Sequence, residues 1–367
     1  MPPAKPTNPQ TLPLSKLDWE KITPFLGDAH GGVARFDALA ANNPEAKLLL
    51  SPLTTQEAVS SSRIEGTQAT LEEVLRFQAE GKASGEKRDD FQEVMNYREA
   101  LETAVVQMEK LPLSGRLLKN THKILLSGAR GKQKDPGNFR NGPVWVGSPG
   151  ATIETARYVP PEARHVPDLF SNLEKYIHGK EKNELVQLAI VHAQFEIIHP
   201  FLDGNGRLGR LLMPLFLYHK KTITTPYFYL SEYLEKHRDE YYDRLNRITA
   251  KGDWEQWIIF FLRAVAEQSC AGSVKAQKII DLKKDTLERV QEATHSQYAP
   301  QVANFLFTRP FFTGVQFRDE VAVPKSSVGN LFVRLEKNKI ITKIVPGKGR
   351  RTSFCAFPQL VLLLQEA

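Results

Sequence analysis

His199-Pro200-Phe201-Leu202-Asp203-Gly204-Asn205-Gly206-Arg207-Leu208-Gly209-Arg210 joins two apolar runs of helical length, Glu184–Ile197 and Arg207–Tyr218. In the first run Leu185, Leu188, Ala189, His192 and Phe195 recur at helical spacing, which marks a core helix. His199-Pro200 ends it, because proline disfavours helical backbone in the residue before it. Asp203-Gly204-Asn205-Gly206 offers three positions tolerant of positive φ, so successive backbone N–H groups can face one concavity. The next helix begins near Arg207, and its unpaired N–H groups and dipole point to the same place. Arg207 and Arg210, three apart, share a face. These residues predict a site for two or more phosphates, with Asp203 placed to offer oxygen to a magnesium ion bridging them. Phosphate alone has no use for His199. A histidine on the rim of an anion hole can take a proton from an incoming hydroxyl, which points to transfer of a phosphorus group to an alcohol.

Outside this stretch helical periodicity dominates and strand-like alternation is scarce. At 367 residues the chain exceeds the usual size of a single core. Its 41% hydrophobic and 25% charged residues are ordinary for a globular protein. Two cysteines, Cys270 and Cys355, give neither a metal spacing nor a disulfide framework. A Pro-rich arm (1–13) without an apolar signal core precedes the helices, and no apolar run is long enough to span a bilayer, so a cytoplasmic protein with no membrane partner is expected. A helix over about 52–66 closes at Gly66, and Thr70-Leu71-Glu72-Glu73 forms a capping box that opens another. Further helices are expected at Asp90–Lys110, Leu113–Leu126, Val166–Ile177, Leu230–Ala250 and Trp254–Cys270, then a charged connector at Val274–Ala293. Val144–Val146 and Ile153–Tyr158, around Ser148-Pro149-Gly150, give the one clear hairpin signal before residue 296.

The motif matches without departure the Fic family pattern His-Pro-Phe-x-Asp-Gly-Asn-Gly-Arg-x-x-Arg, and on these residues the chain resembles that family. The resemblance implies an all-helical core that transfers AMP from ATP to a Ser, Thr or Tyr hydroxyl. It makes His199 the general base, gives Mg²⁺ to Asp203, lines the anion hole with Gly204, Asn205 and Gly206, and sets Arg207 and Arg210 on the phosphates. Related toxins that transfer phosphate carry Ala and Lys within the motif; this chain has Gly204 and Arg207, which favours AMP transfer.

Ser61-Ser62-Arg63-Ile64-Glu65-Gly66 reads first as a helix C-terminus with a glycine stop, with Ser61 and Glu65 on one face. The resemblance makes it an N-terminal inhibitory helix, in which Glu65 competes with the γ-phosphate for Arg210 through a bidentate pair. The hairpin Val144–Tyr158 resembles the family's flap, which takes up a target segment as an added strand. Tyr242 and Leu245 lie where relatives place adenine contacts.

From about residue 296 three helices (Gln301–Thr308, Val315–Val321, Ser326–Asn338) precede two β-rich runs, Ile340–Val345 and Ser353–Phe357, joined by a basic turn. This is the winged helix-turn-helix pattern. Between Pro324 and Thr352 eight Lys/Arg face a single acid, Glu336, so the whole chain's net charge of +7 is matched by this one stretch. Ser326, Ser327 and Asn330 could reach bases or phosphates, and Lys348, Arg350 and Arg351 could track a DNA backbone.

The expected fold is therefore mainly α, a helical Fic core with a short β-hairpin flap plus a C-terminal winged helix-turn-helix domain. Its segments are 1–89 with the inhibitory helix, 90–270 as catalytic core, 271–295 as connector and 296–367 as winged helix. The expected function is an auto-inhibited protein adenylyltransferase that uses ATP and Mg²⁺ on protein hydroxyls, its own included. DNA and a second copy in a homodimer are the other partners this reading admits. Two alternatives stand beside it: a DNA-binding regulator whose core senses nucleotide, and a bifunctional enzyme that also removes AMP.

Overall fold

The computed structural model describes residues 6–81, 83, 86–128, 133–147, 150–347 and 352–366. From the N-terminus come α1 (Trp19–Ile22), α2 (Leu26–Ala41), α3 (Ala46–Leu49), α4 (Ser51–Ile64), α5 (Leu71–Glu80), α6 (Glu86–Met108) and α7 (Gly115–Leu125). An irregular stretch leads to α8 (Val166–His178), α9 (Glu184–Ile198) and α10 (Asn205–His219). Then follow α11 (Ser231–Lys236), α12 (Arg238–Lys251) and the 41-residue α13 (Trp254–Thr294). The remainder runs α14 (Ala299–Thr308), β1 (Phe311–Thr313), α15 (Gly314–Glu320), α16 (Lys325–Lys337), β2 (Thr342–Val345), β3 (Phe354–Ala356) and α17 (Pro358–Gln365). Among the described residues no helix is long and apolar enough to cross a membrane.

The chain forms two compact units. One comprises Met1–Asp37, Glu57–Thr67 and Gln92–Cys270; the other comprises Ala38–Gln56, Gln68–Phe91 and Ala271–Ala367. The units cut across the segments drawn from the sequence, because pieces distant along the chain contribute to each.

In the first unit α9 is the central rod. Asn183 caps it by accepting from the N–H groups of Leu185 and Val186 at 3.0 and 3.2 Å. Its residues from Leu185 to Phe195 are all buried, so it is apolar around its circumference rather than along one stripe. Trp257 of α13 donates from Nε1 to the Ala189 carbonyl at 2.8 Å, and α10 folds back along α9. The arm preceding α1 is not loose: Leu12 is buried, Gln194 donates to the Gln10 carbonyl, and Asn172 brackets the Leu12 backbone.

The second unit holds an antiparallel three-stranded sheet in the order β1-β3-β2, with Phe312 opposite Cys355 and Lys343 opposite Cys355 on the other side. Phe305, Phe312, Phe317 and Phe332 pack against one another as edge-to-face and tilted pairs. Thr313 opens α15 through a capping box with Gln316.

Several local expectations are corrected. Among the described residues the hairpin over 144–158 is a single antiparallel bridge between Val146 and Tyr158, and Ile153 lies in a turn; Pro143 and the neighbouring glycines leave little ladder to build. Ser148 and Pro149 lie outside the described residues, as do Lys348, Arg350 and Arg351. Strand β1 has no sequence signal beyond Phe311-Phe312, which is too short for periodicity. The run Leu230–Ala250 breaks at His237 into α11 and α12. By contrast Trp254–Thr294 is unbroken, since Gly272 costs only about 1 kcal/mol within so long a ladder.

Candidate active site

The junction between α9 and α10 is shaped by backbone conformation. His199 closes α9 in the left-handed region (φ 49), and Gly204 caps α10 in the same region (φ 72). Among residues 203–206 that conformation occurs at Gly204 alone, and α10 begins two residues before Arg207, at Asn205. Asn205 does not present its amide to a ligand. Its Nδ2 donates to the Phe201 carbonyl and its Oδ1 accepts from the Phe201 N–H, both at 2.9 Å, so it clamps the loop.

Two residues the sequence did not disclose hold the same loop. His122 on α7 accepts from the Gly137 N–H at Nδ1, which leaves Nε2–H to donate to the Asp203 carbonyl at 2.9 Å. Burial pushes its pKa down to about 4, and its ring stacks on Phe201. Arg140, 3% exposed, donates from Nε to the His199 carbonyl at 2.8 Å and from its other nitrogens to carbonyls of Pro161 and Gly142. No motif marks either residue, because the carbonyls they hold at the junction, those of Asp203 and His199, lie 81 and 59 positions away.

A cleft is lined by Glu65, Glu196, His199, Gly206, Arg210 and Tyr242, with Leu245, Arg157 and Tyr158 among its other walls. His199 Nδ1 lies 3.3 Å from the Glu196 carbonyl; with Nδ1–H donating there, Nε2 is left as a proton acceptor. Burial lowers the His199 pKa to about 4, against the pull of Glu65 and Asp203. The ring is therefore neutral at pH 7, as a base must be before it acts.

Arg210 is 1% exposed and meets the end of α4. Its Nε donates to Ser61 Oγ and its Nη2 to the Ser61 carbonyl, both at 2.8 Å, and Nη2 donates to Glu65 Oε1 at 2.6 Å. The pair is not bidentate as expected: Glu65 engages Nη2 alone, and Ser61 takes Nε and shares Nη2. Burial alone would raise the Glu65 carboxyl, but Arg210 outweighs it and holds the pKa below the usual value. Gly206 is what lets this happen. A Cβ there would stand 2.1 Å from Glu65 Oε1, so any other residue would strike the carboxylate.

Arg207 is committed elsewhere, with Nη1 2.9 Å from Glu93 Oε2 and Nη2 3.8 Å from Asp203 Oδ1. Asp203 keeps 43% of its side chain exposed and accepts from the Gly204 N–H. Among the described residues no three His, Cys, Asp or Glu side chains gather as a metal cage. One half-exposed carboxylate fits Mg²⁺ that arrives with a nucleotide's phosphates and keeps its own waters. Tyr242 and Leu245 line the cleft, and guanidinium carbons of Arg157 and Arg238 lie 5.2 and 5.8 Å from the Tyr242 ring centre.

In this unit the junction between α9 and α10 brings a neutral histidine and a restrained, buried arginine to one cleft. Family comparison agrees. The model for the Fic/DOC family N-terminal region matches residues 23–106, and the Fic/DOC family model matches 112–217. The chain belongs to the Fic/DOC family. The Protein adenylyltransferase Fic of Drosophila grimshawi is 27% identical over 170 residues, 44% of this chain and 32% of that protein. Its namesake from Aedes aegypti is 30% identical over 128 residues, 34% of this chain and 22% of that protein. The chain thus spans a third or less of the length of these curated relatives. A crystal structure of a Fic family protein from Desulfovibrio desulfuricans G20 shares the fold, with a TM-score of 0.56 at 20% identity over 96% of this chain and 98% of the other.

Proposed function

We propose that the chain is a protein adenylyltransferase held inactive by Glu65, with residues 90–270 as its catalytic core. The observation that carries this reading is the Glu65–Arg210 contact, made over Gly206 in the cleft that His199 lines. The relatives named protein adenylyltransferase support it. In this reading ATP displaces Glu65, and its γ-phosphate takes the place on Arg210. His199 Nε2 accepts the proton of a Ser, Thr or Tyr hydroxyl while that oxygen bonds to the α-phosphorus. The bond to pyrophosphate breaks in line, and Arg210 offsets the charge that develops there. Anionic phosphates also raise the pKa of His199 towards a value useful for a base. Mg²⁺ held at Asp203 would add positive charge against the phosphates.

The target is a protein hydroxyl, the chain's own included. The test is incorporation of labelled AMP. A charge-assisted hydrogen bond contributes about 1.5–3 kcal/mol, so Glu65→Gly should raise incorporation about 10–100-fold. Adding His199→Ala should remove about 10²–10⁴ of the resulting rate. No gain from Glu65→Gly would refute the brake, and a rate indifferent to His199 would refute the base.

For the C-terminal unit we read the order α14-β1-α15-α16-β2-β3 as a winged helix. Lys325, Ser326, Asn330 and Lys337 of α16 are exposed, as a DNA-reading helix requires. DNA binding should weaken steeply with salt and fall when Lys325 and Lys337 become alanine; binding indifferent to salt would oppose it.

A further inference from the structure

The restrained arginine has a second carboxyl beside it. Glu196 lies on α9 three residues before His199, and it lines the same cleft. Its Oε1 is buried without a hydrogen-bond partner among the described residues. A Cβ on Gly209 would stand 2.2 Å from that oxygen, as a Cβ on Gly206 would stand 2.1 Å from Glu65 Oε1. Gly206 and Gly209 are one helical turn apart on α10, so two successive glycines each make room for one carboxyl, with Arg210 adjoining. Glu65 belongs to the brake. Glu196 is attached to the rigid core helix and stays when the brake leaves.

Resting on the nucleotide reading above, we propose that Glu196 contacts the nucleotide: its carboxyl group donates a hydrogen bond to the phosphate that takes Glu65's place on Arg210. An ionised Glu196 would repel that phosphate. Burial above all, with a lesser push from Glu65 and an opposing pull from Arg210, raises its pKa to about 8, so it can keep its proton at neutral pH. The groups that face it are Glu65 from α4, Arg210 from α10, Tyr241 and Tyr242 from α12, Tyr158 from the irregular stretch, and His199 on its own helix. Once Glu65 leaves, Arg210 favours the ionised form of Glu196; an arriving phosphate reverses this, and one proton is taken up from solvent. No covalent bond changes.

Proton uptake is the signature of this role. Full-length Glu65→Gly protein is titrated calorimetrically with α,β-methylene ATP and magnesium, a probe that cannot release pyrophosphate. At pH 8 the triphosphate is ionised and His199 stays neutral. Repeating the titration in buffers of different ionisation heat should show uptake of up to about one proton. Affinity should fall up to about tenfold per pH unit across the range where Glu196 titrates. Adding Glu196→Gln should abolish the uptake and flatten the pH profile, while AMP should show no uptake with either protein. Binding without proton uptake, or uptake unchanged by Glu196→Gln, overturns the inference and leaves the nucleotide reading intact. If the double variant does not fold, the proton count of Glu65→Gly alone decides. Failure of Glu65→Gly to bind the probe at any pH overturns both.

Discussion

The α9–α10 junction and the C-terminal segment from α14 to α16 place their charge in opposite ways. Around α9 and α10 charged groups are buried: Arg140, Arg207 and Arg210 are 3%, 5% and 1% exposed, and each is held by carbonyls or a carboxylate. In the C-terminal unit the interior is aromatic, with Phe307, Phe312, Phe317 and Phe357 buried, while Lys325, Lys337 and Lys339 lie at the surface. Burying an ion stabilises little and costs much if its partner is lost, whereas buried aromatic area is the main source of stability. The buried charges around α9 and α10 therefore depend on keeping their partners. The C-terminal interior rests on aromatic packing.

Stability measurements can break this contrast. The largest effect should come from Phe317→Ala, which removes a side chain touching three other rings. It should cost about 3–5 kcal/mol, read as lost hydrogen-exchange protection in residues 299–366. Loss of protection around α9 instead would refute the division. Next, Glu93→Ala removes a partner of buried Arg207, and denaturant unfolding should show about 3 kcal/mol lost. A loss below about 1 kcal/mol would mean that Arg207 is effectively solvated.

The acid response sharpens the contrast. His122, His192 and His199 are pushed down to about 4, 3 and 4 by burial, so below pH 6.5 the unfolded chain binds protons that the folded chain does not, and stability falls as pH falls. Glu57 and Glu196, raised by burial to about 7 and 8, act with the opposite sign over the same range. His219, lowered, and Glu235, raised, add one group to each side, so four against three leaves about one group, or about 1.4 kcal/mol lost per pH unit from pH 6 to 5, read from urea midpoints. A flat profile would mean that the histidines are hydrated. The smallest effect belongs to the half-exposed Lys343–Glu336 pair of the C-terminal unit. Lys343→Ala should change stability by less than about 1 kcal/mol.

Legibility followed the range of the interactions. His199, Asp203, Gly204, Gly206 and Arg210 could be read because the turn, the helix start and the arginine spacing are local along the chain. Glu65 needed the family pattern, since a helix that ends in glycine is common. His122, Arg140 and Glu93 were silent, because each acts on backbone or charge that is remote in sequence. Glu196 stands beside the motif within an apolar run. Its signal was present: it is the lone ionisable side chain between His192 and His199.

By itself the sequence determined a mainly helical chain, a helix junction with a histidine and two arginines, and a basic C-terminal stretch. Composition, period and turn residues act over a few positions and need no partner. The tertiary structure alone decided how those groups are engaged. It gave Arg207 to Glu93, turned Asn205 inward as a clamp, shared Arg210 between Ser61 and Glu65, and stood a second carboxyl over Gly209. Burial and proximity set charge states and partners, and both come from the packing of distant helices.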